Sequence, residues 1–169
     1  MNQYKYHKEY RLKGFDYSKP GLYFITICTK NRICDLGKIE DSIMKLSEIG
    51  EIAEKFWIEI SNRFKNVELD EFILMPNHLH GILKLTNHGR SAPRRAPTGI
   101  QPLVKNSISS IINHYKGNVK RHCNKNGLEY FNWQSRFHDR IIRNEDEYYR
   151  IKQYIKDNPK NWELDRNNK

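Results

Sequence analysis

The chain has 169 residues, enough for one domain with a hydrophobic core but too few for two ordinary domains. Its 30 lysines and arginines outnumber its 20 aspartates and glutamates, and the net charge of +10 favours a polyanionic partner, nucleic acid before anionic lipid. No apolar run approaches the roughly 20 residues of a membrane span and no signal peptide opens the chain, so we expect a cytoplasmic protein without a membrane partner.

Strands surround one helix in the first half of the chain. The strand segments are rich in β-branched and aromatic residues, whereas the helical segment has apolar residues every three or four positions. Ser47 is a suitable N-cap for that helix, and Pro76-Asn77 is a turn between two strands that are expected to pair. The predicted elements are a strand over 21–30, a hairpin within 33–47, a helix over 48–63 and strands over 67–75 and 78–85.

A linker and two helices dominate the second half. Residues 86–102 contain three prolines, two glycines and three arginines, which predicts a flexible basic linker inside a single domain of residues 1–169. Asn144, three residues before Glu147, resembles a capping box and opens a helix that ends at Asn158. The other predicted elements are a helix over 103–125 and a short strand over 137–143.

The order of these elements predicts an α+β fold. Strands joined by hairpins are interrupted by single helices, and the regular strand–helix alternation of a parallel sheet is absent. We expect a ferredoxin-like antiparallel sheet with the helices packed on one side of it.

Two histidines interrupt the apolar stretch ILMPNHLHGIL at residues 73–83. His78 and His80 are two residues apart, and a strand presents alternate side chains on one face, so both imidazoles should point the same way. Cβ atoms roughly 6–7 Å apart allow two ring nitrogens to hold one divalent ion. Hydrogen-bonded structural histidines are the alternative interpretation, and a metal site would also need a third ligand, expected to be an oxygen.

The excess of positive charge is concentrated in residues 87–143, which contain eleven basic and two acidic residues. Aromatic side chains are interleaved with these basic residues, a pattern typical of a groove that follows a nucleic-acid backbone and stacks unpaired bases. A merely solvated charged surface is the alternative. The residues that we expect to contact DNA are Arg94, Arg95, Lys116, Lys120, Arg121 and Trp133.

The last predicted helix places Tyr154 and Asn158 four residues apart, on one face and about one turn from each other. The amide oxygen of Asn158 is therefore a candidate for the third metal ligand. Alternatively, Tyr154 belongs with Tyr148 and Ile151 to the core face of an ordinary amphipathic helix.

The motifs that point to a family lie in three segments: YRLKGFDYSKPGLYFITICTKNR, VELDEFILMPNHLHGILKL and WQSRFHDRIIRNEDEYYRIKQYIKDNPKNW. They contain His78-Leu79-His80 after Met-Pro-Asn, a Trp-Gln pair, and a Tyr-Ile-x-x-Asn-Pro ending. By these motifs the chain resembles the single-tyrosine HUH transposases, in which HUH denotes histidine, hydrophobic, histidine, and specifically the REP-associated tyrosine transposase group. The resemblance covers nearly the whole chain and is weakest over 86–102.

That resemblance implies an HUH endonuclease-like fold and a specific chemistry. Tyr154 would be the nucleophile, and His78, His80 and Asn158 would hold Mg²⁺ or Mn²⁺. The enzyme would cleave and rejoin single-stranded DNA near hairpins through a 5′-phosphotyrosine, leaving a free 3′-OH. The family often has Gln or Glu as the third ligand, whereas Asn158 is a neutral Asn.

Two other functions are compatible with the same residues. A non-catalytic hairpin-binding protein would explain the charge and the aromatic residues but would leave His78, His80 and Tyr154 without a role. A metal-dependent nuclease would use water as the nucleophile and Tyr154 as a structural residue. The sequence also leaves open whether the protein is a monomer or a homodimer.

Overall fold

The computed structural model describes residues 16–87 and 106–168. Within these ranges the predicted order of elements is confirmed, except that the helix predicted over 48–63 is divided at Glu59 into two helices. Most of the predicted linker and the first residues of the helix predicted over 103–125 lie outside these ranges. The elements are β1 (Gly21–Cys28), β2 (Gly37–Glu40), β3 (Ile43–Leu46), α1 (Glu48–Ile58), α2 (Ile60–Arg63), β4 (Val67–Met75), β5 (His78–Leu85), α3 (Ile108–Lys125), β6 (His138–Ile142) and α4 (Glu145–Asp157). Two short 3-10 helices lie at Lys30–Arg32 and Pro159–Leu164.

The main sheet has four antiparallel strands in the order β4-β5-β1-β6. β4 and β5 form the hairpin predicted around Pro76-Asn77, and β2 and β3 form a separate hairpin. The central strands β1 and β5 are almost entirely buried, as their β-branched and aromatic composition indicates. The predicted α+β class with an antiparallel sheet is confirmed.

Helices cover both faces of this sheet, so the prediction of helices on one side only is wrong. Tyr23 and Ile25 of β1 pack in a core that includes buried residues of α1 and α3. Phe24, which alternates with them, packs in a second cluster with Ile155 of α4. The physical reason is that β1 and β5 are apolar on both faces, and each apolar face must be covered.

An acidic bulge on β4 anchors α4 to the second face. The register of β4 shifts between Leu69 and Phe72, which leaves Asp70 at the irregularity. The Asp70 carboxylate accepts hydrogen bonds from the Tyr148 hydroxyl at 2.6 Å and from Lys152 Nζ at 2.8 Å. These bonds fix the helix that carries Tyr154 across the face on which His78 and His80 lie.

Gly81 lies where Trp57 of α1 packs tightly on the sheet, and its substitution should destabilise the fold. A Cβ atom at Gly81 would lie 2.4 Å from Trp57 Cζ2, and Trp57 is fully buried in the core. We expect Gly81→Ala to lower the free energy of unfolding by about 1–3 kcal/mol in urea denaturation. Gly117→Ala is the matched control, because nothing lies within 4 Å of the Cβ position there and the helix α3 should gain up to about 1 kcal/mol. Equal stability of the two variants would contradict this account.

Candidate active site

His78 and His80 lie side by side at the start of β5, on the face of the sheet that α4 covers. Both side chains are fully buried, and their ring centroids are 4.4 Å apart. In the register of the sheet, His78 pairs with Cys28 and His80 with Thr26 of β1. Because alternate side chains of a strand point to the same face, the two imidazoles lie together, next to the paired residues of β1.

Hydrogen bonds to the Nδ1 atoms orient both rings. The Asn77 side-chain amide donates to two main-chain carbonyls, so its Oδ1 is the acceptor that lies 2.8 Å from His78 Nδ1. His78 is therefore protonated on Nδ1 and carries its lone pair on Nε2. His80 Nδ1 lies 2.8 Å from Thr26 Oγ1. Both Nε2 atoms therefore face the site. The same arrangement is typical of metal-binding histidines, in which one ring nitrogen coordinates the metal and the other makes a hydrogen bond that orients the ring.

Burial keeps the two imidazoles neutral. It lowers the pKa of His78 to about 4, although the Asp165 carboxylate nearby acts in the opposite direction. Burial, His78 and the Arg166 guanidinium together lower the pKa of His80 well below its usual value. Because the neutral imidazole is the form that coordinates metal ions, neither ring has to lose a proton at neutral pH before it can bind one.

The lowered pKa of His78 predicts that the metal-free protein loses stability in mild acid. The unfolded chain binds a proton on His78 near pH 6.5, whereas the folded chain does so only near pH 4, so stability falls as the pH drops between these values. Between pH 7 and pH 5 the loss from His78 is about 2 kcal/mol, and His80 adds to it in the same direction. Urea denaturation at pH 7 and pH 5, in the presence of a chelator, measures this loss in the free energy of unfolding.

The matched variant for that measurement is His78→Gln, which removes one of the two contributions. Its stability should change less between pH 7 and pH 5 than that of the unsubstituted protein. Identical changes in the two proteins would show that His78 does not titrate in this way.

Tyr154 of α4 reaches the histidine pair from the neighbouring layer. Its hydroxyl lies 3.2 Å from His80 Nε2 and 3.5 Å from Asp165 Oδ2. Burial and Asp165 raise the pKa of the Tyr154 phenol, while the Asn158 amide acts against them. The phenol is therefore protonated at neutral pH and needs a proton acceptor to become a nucleophile.

The tyrosine side chain is 41% exposed, because one side of it opens into a cleft of about 440 Å³. Besides Tyr154, this tyrosine cleft is lined by Asn158 and Asp165. The histidines form the closed end of the site, and the tyrosine lies between them and solvent. A substrate can therefore reach the phenol oxygen.

Asp165 is the site residue that sequence reasoning missed. Its carboxylate lies 3.9 Å from His78 Nε2, and the ligand atoms of His78, His80 and Asp165 lie within 4.8 Å of one another. Asp165 follows the 3-10 helix at Pro159–Leu164, which turns the chain back towards the sheet. Asp165 lies eleven residues after Tyr154 and beyond the end of the helix, so helical spacing does not place the two side chains together. In the sequence, the one indication of its role was an acidic residue that follows the Asn-Pro pair.

The donors at this site fit a divalent metal ion. Two neutral imidazole nitrogens and a carboxylate oxygen form a mixed nitrogen and oxygen set that suits Mn²⁺ and related ions. Several buried polar atoms of the described residues have no hydrogen-bond partner, and two of them, His78 Nε2 and Asn158 Oδ1, belong to residues of this site. Buried polar atoms are usually paired in folded proteins, so a bound ion that used these two atoms would satisfy them.

The structure separates the predicted DNA-contacting residues into different environments. Lys116 Nζ donates to the carbonyls of Gln134 and Ser135, and Lys120 Nζ donates to two other carbonyls of the same loop. Arg121 is exposed and donates to a neighbour on its own helix. Trp133 is only 9% exposed and packs against Phe131 and Tyr115. Arg94 and Arg95 lie outside the described residues.

No family model matches the chain. An uncharacterised protein of Haemophilus influenzae (strain Rd) is 37% identical to it over 160 residues, which cover 92% of this chain and 89% of that protein. Among the residues described above, no helix is both long and apolar enough to cross a membrane.

Two solved structures align with most of the chain. The structure of a REP-associated tyrosine transposase bound to a REP hairpin superposes with a TM-score of 0.63 at 24% identity, over 92% of this chain and 74% of that chain. A structure from Deinococcus radiodurans R1 gives a TM-score of 0.47 at 18% identity, over 87% of this chain and 97% of that chain. The first comparison places the four-stranded sheet and its helices in a known architecture.

Proposed function

We propose that this chain, which belongs to the same protein family as the Haemophilus influenzae protein, is a metal-dependent transposase or endonuclease of single-stranded DNA. The proposal rests on the fold and on the site, and it assigns Tyr154 as the nucleophile. The observation that carries this proposal is the position of the Tyr154 hydroxyl, 3.2 Å from His80 Nε2 and beside Asp165. A tyrosine that served only for packing would not need its hydroxyl beside a buried histidine and a carboxylate. The fold of a tyrosine transposase solved on a hairpin supports the same reading.

His78, His80 and Asp165 would hold the metal ion, with the Asn158 amide oxygen as the predicted further ligand beside the same cleft. Mg²⁺ or Mn²⁺ bound there would polarise the scissile phosphate and stabilise negative charge on the leaving oxygen. Asn77 and Thr26 hold the imidazoles in the orientation that this requires. The chain thus supplies an ordered site before any substrate arrives.

Tyr154 would attack the phosphorus atom, forming a tyrosyl O–P bond while the bond from phosphorus to the 3′-oxygen breaks. The products are a 5′-phosphotyrosine and a free 3′-OH. The Asp165 carboxylate, whose Oδ2 lies 3.5 Å from the Tyr154 hydroxyl, would accept the phenol proton, because His80 Nε2 has no free lone pair once it coordinates the ion. Because one phosphoester replaces another, a 3′-OH can reverse the step, and strands can be rejoined without ATP.

The substrate that we propose is single-stranded DNA next to a hairpin. The net charge of +10 favours a polyanion, and the similar transposase structure holds a REP hairpin. Incubation of the protein with such DNA and Mn²⁺, followed by a denaturing gel, tests the proposal. We expect a covalent protein–DNA adduct; free cleavage products without an adduct would indicate a water-dependent nuclease, and unchanged DNA a binding protein.

Binding of this DNA should depend steeply on salt, because phosphate contacts release counterions. Replacing Arg94 and Arg95 together with Ala should flatten the plot of log affinity against log salt by about 1.5–2. Lys55→Ala is the matched control, since Lys55 is exposed on α1, outside the basic residues 87–143. Fluorescence anisotropy at several salt concentrations measures the slopes, and a double variant with the slope of the control would contradict the prediction.

A further inference from the structure

A second cleft, of about 570 Å³, lies beside the site. One wall is the 3-10 turn at Lys30 and Asn31, and the other is the loop of residues 132–138 that leads into β6. We call it the loop cleft. The proposed chemistry at Tyr154 does not use it.

The loop cleft is separated from the histidine pair by one strand. His138, where the loop enters β6, pairs with Thr26, and Thr26 in turn pairs with His80. Paired residues of an antiparallel sheet lie on the same face, so this end of the cleft is about 10 Å from His80, two interstrand spacings away. A strand of DNA whose phosphate reaches Tyr154 would have its next nucleotides within reach of the cleft.

The side chains of the loop cleft suit an unpaired nucleotide. Asn31, Asn132 and Gln134 carry amides that can donate and accept at once, as the edges of nucleobases require. Lys30 and Arg136 supply positive charge for phosphate groups. None of the described residues that line the cleft is acidic, in contrast to the tyrosine cleft with Asp165.

Main-chain hydrogen bonds hold the loop wall of this cleft to the end of β1 and to the 3-10 turn that follows it. The Lys30 amide donates to the Asn132 carbonyl at 2.8 Å, and the Gln134 amide donates to the Cys28 carbonyl at 2.9 Å. Asn31 adopts a left-handed backbone conformation with φ of 56°, which asparagine tolerates better than most residues, and this conformation shapes the turn of the other wall. Both walls are therefore shaped before a ligand binds.

Two lysines of α3 brace the same wall from behind. Lys116 Nζ donates to the carbonyls of Gln134 at 2.5 Å and Ser135 at 3.1 Å. Lys120 Nζ, one turn later, donates to the carbonyls of residues 129 and 131 at 2.8 and 2.6 Å. Lys116 thus uses two of its three N–H donors on the loop, and Lys120 uses two on the residues that lead into it, so both lysines support the wall.

We propose that the loop cleft binds an unpaired DNA nucleotide next to the scissile phosphate, and that Gln134 contributes to the choice of base. Lys116 and Lys120 act as positioning residues, because they hold the loop that carries Gln134. This inference rests on the proposed function, since it assigns a place to part of the same DNA substrate.

The test compares two DNA probes, a bare hairpin and the same hairpin with an unpaired single-stranded extension. We expect Gln134→Ala to weaken binding of the extended hairpin on the order of tenfold, the effect of losing a specific base contact, and to leave the bare hairpin unaffected. Changing the base in the extension should alter the affinity of the unsubstituted protein more than that of Gln134→Ala. Asn113→Ala, at an exposed position of α3, is the control and should bind both probes normally.

Lys116→Met separates support of the wall from phosphate contact. It should weaken binding of the extended hairpin while leaving the salt dependence unchanged; a slope reduced by about one would show that Lys116 contacts a phosphate instead. If Gln134→Ala binds both probes like the unsubstituted protein while the covalent adduct still forms, the cleft assignment is wrong and the proposed function stands. If the extension is recognised through Gln134 but no adduct ever forms, the cleft assignment stands and the tyrosine chemistry fails.

Discussion

Tyr154→Phe should abolish the covalent protein–DNA adduct and leave the fold intact. The substitution removes one oxygen atom, the atom that lies 3.2 Å from His80 Nε2, and keeps the ring that packs against Phe24. Loss of the nucleophile should lower adduct formation on the order of a thousandfold or more. The free energy of unfolding should change by about 1 kcal/mol or less, since only weak hydrogen bonds of a half-exposed side chain are lost.

Two other tyrosines of α4 provide the controls. Tyr149 is 64% exposed, and Tyr149→Phe should change neither adduct formation nor stability. The Tyr148 hydroxyl donates to Asp70, so Tyr148→Phe should keep the adduct but lower stability by about 1–2 kcal/mol. Denaturing gels and urea denaturation of the three variants separate these outcomes. A Tyr154→Phe protein that still becomes linked to a 5′ end would place the nucleophile elsewhere.

Replacing either histidine should remove metal binding. His78→Ala and His80→Ala each delete one of two neighbouring nitrogen ligands, and we expect Mn²⁺ affinity to fall at least a hundredfold in calorimetric titration. Thr26→Val, which removes the hydroxyl behind His80, should lower the affinity about 10- to 100-fold. Adduct formation should fall with metal affinity, whereas binding of hairpin DNA should persist, because it depends on the basic surface.

The same titration identifies the oxygen ligand. Asp165→Asn keeps the size of the side chain but removes its charge, and we expect it to weaken Mn²⁺ binding more than Asn158→Ala does. His114→Ala, on α3 and in contact with Phe64 rather than the site, should bind Mn²⁺ normally. Normal metal affinity in both His78→Ala and His80→Ala would refute the metal site, and an effect of Asn158→Ala alone would exclude Asp165 as the carboxylate ligand.

Local patterns determined the elements of this fold and part of its site. The strands, the helices and the caps at Ser47 and Asn144 follow from propensity, periodicity and short-range hydrogen bonds, all of which operate within a few residues. The approach of His78 to His80 follows in the same way, because two residues of a strand share a face by geometry alone. Sequence was sufficient wherever the interacting groups belong to one element.

Only the tertiary structure decided which groups join these elements. Asp165 reaches His78 across 87 positions of sequence, through a 3-10 turn whose direction no periodic pattern reveals. Trp133 is buried because α3 and the loop before β6 pack together there. Lys116 of α3 donates a hydrogen bond to a main-chain carbonyl of the same loop. Both faces of the central strands are apolar, and α1 and α3 cover one of them. α4 packs on the opposite face because that face must also be shielded from water. These contacts depend on the packing of distant segments, and a side chain's type alone does not specify whether such packing leaves it exposed, buried or beside a metal ligand.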